Sequence, residues 1–475
     1  MRARSAREAL PWCILVALLT GQAILVITAP PRPLGGDEID YVRKAEAIAA
    51  EGTLPRATPH DPSVEAGAWD VSDWRPPGYP LFVAALSGGS FDSLSLRPRV
   101  AAVQFAAMAG AILLAFSMLR TSSFAVQVAG AIVIGVAPWP FAFVTTIGVD
   151  SLNASLSFFG LFLLVRSTSV ASGRWSLFVG SLLLSSTLLL RPEMVAVAPV
   201  PIAVCLLTRN GKRRGRARDW VLAGTAFLIV VAAQYGYRTY FTGKLGTSLF
   251  GGLHIYDAGA FRWANSWIGT EDEAYDFVYG LSFGDTAAEL PARAFANEQE
   301  RLIVQELRAR VRATGFDAQV DRGFDELAQK RVLEHPITAG ILPRIWHAVH
   351  LWINDETNGQ VLQALKPIPR TLRRTLLGLL LLLKVFLVCA FSFRVLTSRK
   401  KWASAPSIAV LGSFVITRTI LVGLVLNWMV HRYMVAAWLP LMVGAFVSAP
   451  DLERRLAGTA ENLATGHNPE GGLAN

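Results

Sequence analysis

The sequence predicts an all-α polytopic membrane protein: a bundle of about ten transmembrane helices, with juxtamembrane helices and one loop domain outside the bilayer. Three observations carry this expectation. The chain of 475 residues is 52% hydrophobic and only 17% charged, where a soluble globular chain carries about 25% charged residues. Several apolar runs approach or reach the roughly 20 residues that cross a bilayer as a helix. The excess of positive charge, 45 Lys and Arg against 35 Asp and Glu, gathers in short segments between those runs. That is the signature of membrane topology, and it argues against a nucleic-acid partner.

The first run, about Leu10 to Ala29, follows Arg2, Arg4 and Arg7. Its length and the lack of a small-residue cleavage site before Pro30-Pro31 read as a retained helix with a cytoplasmic N-terminus. The segment 30–96 is then a first external loop. Within it Ile39 to Glu51 is amphipathic, and Tyr79 to Leu86 is apolar but too short to span. Further spans follow at about Pro98 to Leu119, Phe124 to Phe141, Leu152 to Val165, Trp175 to Leu190, Met194 to Leu207 and Trp220 to Tyr235. The basic run Arg209 to Arg216 reads as a cytoplasmic loop.

Residues 1–235 thus form an N-terminal transmembrane region, and 236–374 changes character. Charge rises there and no run is long enough to span. Helical periodicity shows at Phe295, Leu302, Val304, Leu307 and Val311, and again from Val320 to Val332, stopping at His335-Pro336. This segment is predicted to be an external domain resting on the membrane, with Ile345 to Ile353 an interfacial helix anchored by Trp346 and Trp352. Spans at about Leu376 to Leu396, Ile408 to Leu426 and Met434 to Val447 fill the C-terminal region 375–449. The polar tail 450–475 reads as disordered and cytoplasmic. Cys13, Cys205 and Cys389 all fall in apolar runs, without metal-like spacing or a case for disulfides.

Chemistry concentrates at the predicted external face. Asp37-Glu38 opens the amphipathic stretch of the first loop, and Arg75-Pro76-Pro77-Gly78-Tyr79-Pro80 follows it. Asp150 begins the fourth span, Leu190-Arg191-Pro192-Glu193 forms a turn, and His431-Arg432-Tyr433 precedes the last span. Adjacent carboxylates at a membrane surface, a nearby cation and a proline-stiffened turn suit a site for a polar group attached to a lipid. Simpler readings stand beside this one. Asp37 caps a helix as well as it accepts a proton, Arg75 snorkels to water, Asp150 caps the helix after it, and Arg191 pairs with its neighbour Glu193.

The order of these motifs resembles the polyprenyl-phosphate-dependent glycosyltransferases of the GT-C fold. The nearest resemblance is to family 39, which includes the protein O-mannosyltransferases and the bacterial aminoarabinose transferase of lipid A. It rests on Asp37-Glu38-Ile39-Asp40-Tyr41, Arg75-Pro76-Pro77, Asp150, Leu190 to Glu193, Tyr237 to Lys244 and Arg432-Tyr433, and it covers all but the tail.

The resemblance implies transfer of a sugar from a polyprenyl-phosphate donor to a hydroxyl on a glycan, lipid or protein acceptor, with inversion. It makes Asp37 the general base and Arg75 the partner of the lipid phosphate. Glu38, Asp150, His431, Arg432 and Tyr433 join them as substrate-binding residues. It also implies an active site on the periplasmic side of the plasma membrane, with both termini inside. A divalent cation is a possible cofactor, although no His and carboxylate cluster has convincing metal spacing. The competing classes are a transporter or flippase of lipid-linked saccharides and a glycan polymerase or ligase. A transporter would more often show repeated halves and broken helices, and no internal repeat is visible.

Overall fold

The structure is a computed structural model. It describes residues 2–29, 33–35, 37–51, 76–169, 173–209, 213–242, 259–270, 273, 277, 289–314, 318–353, 369–398, 405–426 and 431–447. Among these residues the regular structure is helical throughout. Six helices are long and apolar enough to cross a membrane, and this is a polytopic membrane protein.

The first half runs α1 (Arg2–Ile27), α2 (Asp37–Glu51), α3 (Gly78–Ser87), α4 (Ser93–Ser117), α5 (Phe124–Val136), α6 (Val149–Ser169), α7 (Arg174–Ser186), α8 (Met194–Val197), α9 (Pro199–Thr208) and α10 (Arg213–Thr242). Helix α4 starts where Asp92 accepts the amides of Leu94 and Ser95, both at 3.2 Å, supplying two of the acceptors its free N-terminus needs. Helix α10 begins at Arg213, so the end of the basic run predicted as loop is the first turn of a helix. Arg209 and Arg174 both reach Asp219 of that helix, at 3.5 and 3.4 Å.

The second half continues with α11 (Gly259–Ala264), α12 (Glu298–Thr314), α13 (Ala318–Glu334), a π-turn (Pro336–Ile341) and α14 (Leu342–Ile353). It closes with α15 (Arg370–Ser398), α16 (Pro406–Thr419), a second π-turn (Ile420–Val425), a 3₁₀ turn (His431–Met434) and α17 (Val435–Phe446). The shorter apolar helices 124–136, 174–189, 194–208 and 432–446 pack among the six long ones, which accounts for the predicted spans. Helices α10 and α15 both extend into the segment predicted as 236–374.

Two cores hold the chain together. The larger one is built from the bundle and from α11 to α14, where Trp263, Phe277 and Phe324 cluster with ring centroids 5.2 to 6.0 Å apart. The smaller one joins α2 and α3 to α4 and α6 through Tyr41, Val42, Tyr79, Val83, Val100 and Val149. This second core fixes the start of α2, and with it the Asp37-Glu38 pair. Tyr79 stacks edge-on against Tyr41 at 4.7 Å and donates its hydroxyl to Gln104 at 3.2 Å. Gln104 donates in turn to the carbonyls of Val144 and Thr146, both at 2.9 Å. Gly78 has a steric reason: a Cβ there would come within 2.6 Å of the Leu189 carbonyl oxygen, so only glycine lets α3 lie against the chain just before Arg191.

Candidate functional site

Asp37 is the first helical residue of α2, and its carboxylate faces the far end of the sequence. Arg432 Nη1 donates to Asp37 Oδ2 at 2.9 Å. Both side chains keep access to solvent, 24% for Arg432 and 36% for Asp37, so a ligand can reach the pair. Asp37 therefore stands at the first helical position of α2 and in an ion pair with Arg432 at once.

Glu38 sits one residue on and has a different environment. It is buried at 3% exposure. Arg97 grips it with both guanidinium arms, at 2.7 and 3.0 Å, and the amides of Ile147 and Gly35 add 3.0 and 3.2 Å bonds. Arg97 also donates to the carbonyls of Pro33 and Thr145. Two hydrogen bonds from one guanidinium fix a planar geometry as well as neutralising charge. Glu38 thus ties the start of α2 to α4 and to the chain entering α6, and orients Asp37 from behind.

Asp150 lies at the start of α6, 6% exposed, paired with Arg191. Arg191 also reaches Glu193 at 3.5 Å, so the neighbouring pair read in the sequence exists, and Asp150 joins it. Arg418, in the spanning helix α16, completes the cluster. It is fully buried, 3.6 Å from Glu193, and its Nε donates to the backbone carbonyl of Tyr433. Tyr433 joins the two halves of the site. Its ring receives the Arg191 guanidinium at 4.2 Å and the Arg432 guanidinium at 5.9 Å. Charges inside a membrane bundle are costly and persist where they pair or serve a ligand. Here Asp37, Asp150 and Glu193 balance Arg191, Arg418 and Arg432, with an aromatic ring between the guanidinium groups.

Of the residues predicted for the site, Asp37, Asp150, Arg432 and Tyr433 come together at one end of the bundle, and Glu38 backs them. Arg75, with residues 52–75 of the first loop, and Lys244 lie outside the described residues, and so does the His431 side chain. Arg97, Arg191 and Arg418 were not predicted for the site. A lone arginine in an apolar run was the available signal for Arg418. Among the described residues no group of three or more His, Cys, Asp or Glu is placed to hold a metal ion.

No protein-family model matches the chain, and no curated protein does. Among solved structures, the chain is similar to the archaeal oligosaccharyltransferase AglB from Archaeoglobus fulgidus in complex with an inhibitory peptide and a dolichol-phosphate. That similarity has 13% identity and a TM-score of 0.47 over 98% of this chain and 52% of that one. The apo form of the Archaeoglobus fulgidus oligosaccharyltransferase gives a TM-score of 0.48, also at 13% identity, over 97% of this chain and 52% of that chain. ArnT from Cupriavidus metallidurans, bound to undecaprenyl phosphate, gives 0.38 at 14% identity, over 96% of this chain and 81% of that one. The chain spans about half the length of the archaeal enzyme.

Proposed function

We propose that this chain is an integral membrane glycosyltransferase of the GT-C type, which moves a sugar from a polyprenyl-phosphate-linked donor to an acceptor hydroxyl with inversion. The observation that carries this reading is the Asp37–Arg432 pair. It joins the acidic motif of the first loop to the basic motif before the last span, the two ends of the order on which the sequence resemblance rests. Asp150, Arg191 and Tyr433 extend the same site.

The chemistry is a single displacement. The acceptor oxygen bonds to the anomeric carbon while the bond from that carbon to the phosphate oxygen breaks. The electron pair leaves with the polyprenyl phosphate, and the acceptor proton goes to Asp37. A positioned base of this kind contributes about 10²- to 10⁴-fold, and cationic donors aimed at the leaving phosphate supply electrostatic stabilisation. Arg432 suits that task because its forked donors match phosphate oxygens. As it turns to the phosphate it yields part of its hold on Asp37, so donor binding frees the base. Arg75 is the second phosphate partner in this reading. Glu38 orients Asp37 through α2, and Asp150 holds Arg191 under Tyr433.

The region 236–374 is the acceptor-facing domain in this reading, on the external side of the plasma membrane. The acceptor is a glycan, lipid or protein hydroxyl. The test is turnover of a polyprenyl-phosphate sugar by the purified protein in vesicles, read as release of the polyprenyl phosphate. A flippase would move the lipid between leaflets and leave the glycosidic bond whole, and that outcome would reject the proposal.

A further inference from the structure

Helix α14 carries a buried set and an exposed set of side chains. His347, Leu351 and Trp352 are buried against the bundle, with the Trp352 ring 5.0 Å from Trp438. The exposed set comprises Ile341, Leu342, Ile345, Trp346 and Val349, and the stripe continues around the π-turn through Ile337 (61%) to Leu333 (82%). Trp346 satisfies its indole N–H on the Gly269 carbonyl at 3.3 Å, so the body of the ring is free to meet an apolar medium. Monomeric proteins rarely leave so large an apolar patch to water.

The register of the bundle says what lies beside that stripe. Position 444 lies against Phe391, and Trp438 lies against Lys384, so α15 and α17 run in the same direction. Position 412 lies against Val395 and Phe391, while Arg418, six residues on, reaches the Tyr433 carbonyl just before α17 begins, which sets α16 antiparallel to α15. At 1.5 Å per residue, Val435 is level with about residue 381 of α15, and roughly ten residues of α15 stand beyond the end of α17. That projecting third of α15 carries exposed Leu372 and Leu379, with Leu382 exposed just below, and α15 is a spanning helix whose apolar window is only 17% buried.

Helix α14 crosses at the same height. A Cβ on Gly423 would strike the Cα of Ala348 at 2.6 Å, and Arg344 Nη1 donates to the Leu424 carbonyl at 2.9 Å. Both contacts fall on the π-turn that ends α16. The exposed face of α14 is therefore continuous with the bilayer-facing side of α16 and its π-turn, at Ile416, Ile420 and Val425.

From this continuity we infer that the stripe Leu333–Ile337–Ile341–Ile345–Val349 is immersed in the hydrocarbon of one bilayer leaflet, so that α14 is a lipid-embedded element and not part of a water-borne domain. The partner is the acyl region of the membrane itself. The inference does not depend on glycosyl transfer, and its test can fail while that activity survives.

The test uses the full chain in phosphatidylcholine vesicles, with Cys13 and Cys389 replaced by serine and the buried Cys205 by alanine. Single cysteines are placed by Ile341→Cys, Ile345→Cys and Val349→Cys, with Gln329→Cys, on an exposed position of α13, as the water reference. Each is labelled with an environment-sensitive fluorophore. The expected result is blue-shifted emission at the three stripe positions, quenched by acyl-chain spin-labelled lipids and shielded from iodide, with Gln329→Cys behaving oppositely. Iodide quenching at the stripe with no effect of the spin-labelled lipids would overturn the inference. So would concentration-dependent cross-linking of Ile345→Cys between two copies, which would assign the stripe to a second chain.

Discussion

Asp37 and Arg432, 395 positions apart in the chain, meet in a 2.9 Å ion pair at the mouth of the bundle. The pair is open to solvent on both sides and is backed on each. Glu38 anchors the acidic partner's helix through Arg97, and Arg418 holds the turn that carries the basic partner through the Tyr433 carbonyl. The exposed pair therefore rests on two buried ones, and substitutions should separate the two layers.

Asp37→Asn keeps the shape of the side chain and its place in the first turn, but it cannot accept a proton. Transfer should fall by about 10²- to 10⁴-fold, with donor binding and membrane insertion retained. Asn and Asp serve helix N-termini about equally well, so near-normal turnover by this variant would leave Asp37 a structural residue. Release of polyprenyl phosphate and donor binding by the same preparation are the two measurements.

Arg418→Met removes a fully buried cation facing Glu193 and withdraws the donor from Tyr433. Breaking a buried pair on one side typically costs about 3–5 kcal/mol, so thermal unfolding should move down clearly. The double variant Arg418→Met with Glu193→Gln removes both charges and should recover much of that stability. It should not recover turnover, because the Tyr433 carbonyl still lacks its donor and Arg432 is no longer held in register. Arg418→Lys should retain part of both. Full turnover in the double variant would show that Arg418 serves only to neutralise Glu193.

Arg97→Met should act on folding. It would take the two-armed guanidinium grip from a Glu38 carboxylate that is only 3% exposed. The expected loss is again about 3–5 kcal/mol, with α2 loosened. Arg97→Lys keeps the charge but loses the two-armed grip, and should lie between. Protease sensitivity near α2 and the thermal midpoint read the effect.

The helical framework was legible because hydrophobic runs and charge breaks are local properties. The periodic stretches read from Phe295 to Val311 and from Val320 to Val332 correspond to α12 and α13, except that Phe295 lies before the start of α12, and Pro336 ends the second as expected. The Asp37 and Arg432 motifs were legible as chemistry at one membrane face. Their bond was not, since nothing local relates two positions 395 apart. Arg97, Arg418 and Lys384 were hidden for the opposite reason. Arg418 and Lys384 are each a single charge in a long apolar run and Arg97 stands beside Arg99 at the head of one, the same patterns as snorkelling residues, and only packing distinguishes them. Lys384 is 2% exposed, its ammonium 5.5 and 5.8 Å from the rings of Trp139 and Trp438. The apolar side of α14 was legible as interfacial, but Trp352, predicted as an anchor, packs inward on Trp438. Helical periodicity names a face without saying whether protein or lipid covers it.

The layer formed by α11 and α13 should carry a pH dependence of its own. Asp321 accepts the Gly259 amide at 2.8 Å and the Ala260 amide at 3.5 Å. Burial pushes its carboxyl above the ordinary aspartate value, the two amides and Arg262 oppose the shift, and Asp325 adds to it. The folded form thus holds this proton more tightly than the unfolded chain. The stability the group contributes is fully present below the unfolded value, and is lost as pH rises through the folded one. Docking of α11 on α13 should loosen as pH rises through the raised Asp321 value. Asp321→Asn keeps a carbonyl acceptor for the Gly259 amide and has no proton to lose. Its advantage over the parent chain should be absent at acidic pH and grow towards neutrality. Hydrogen exchange of peptides covering Gly259–Ala264 and Ala318–Glu334, measured across that range for both proteins, checks the sign. An advantage that shrinks as pH rises would show that Asp321 is stabilised in its charged form by Arg262 and the amides.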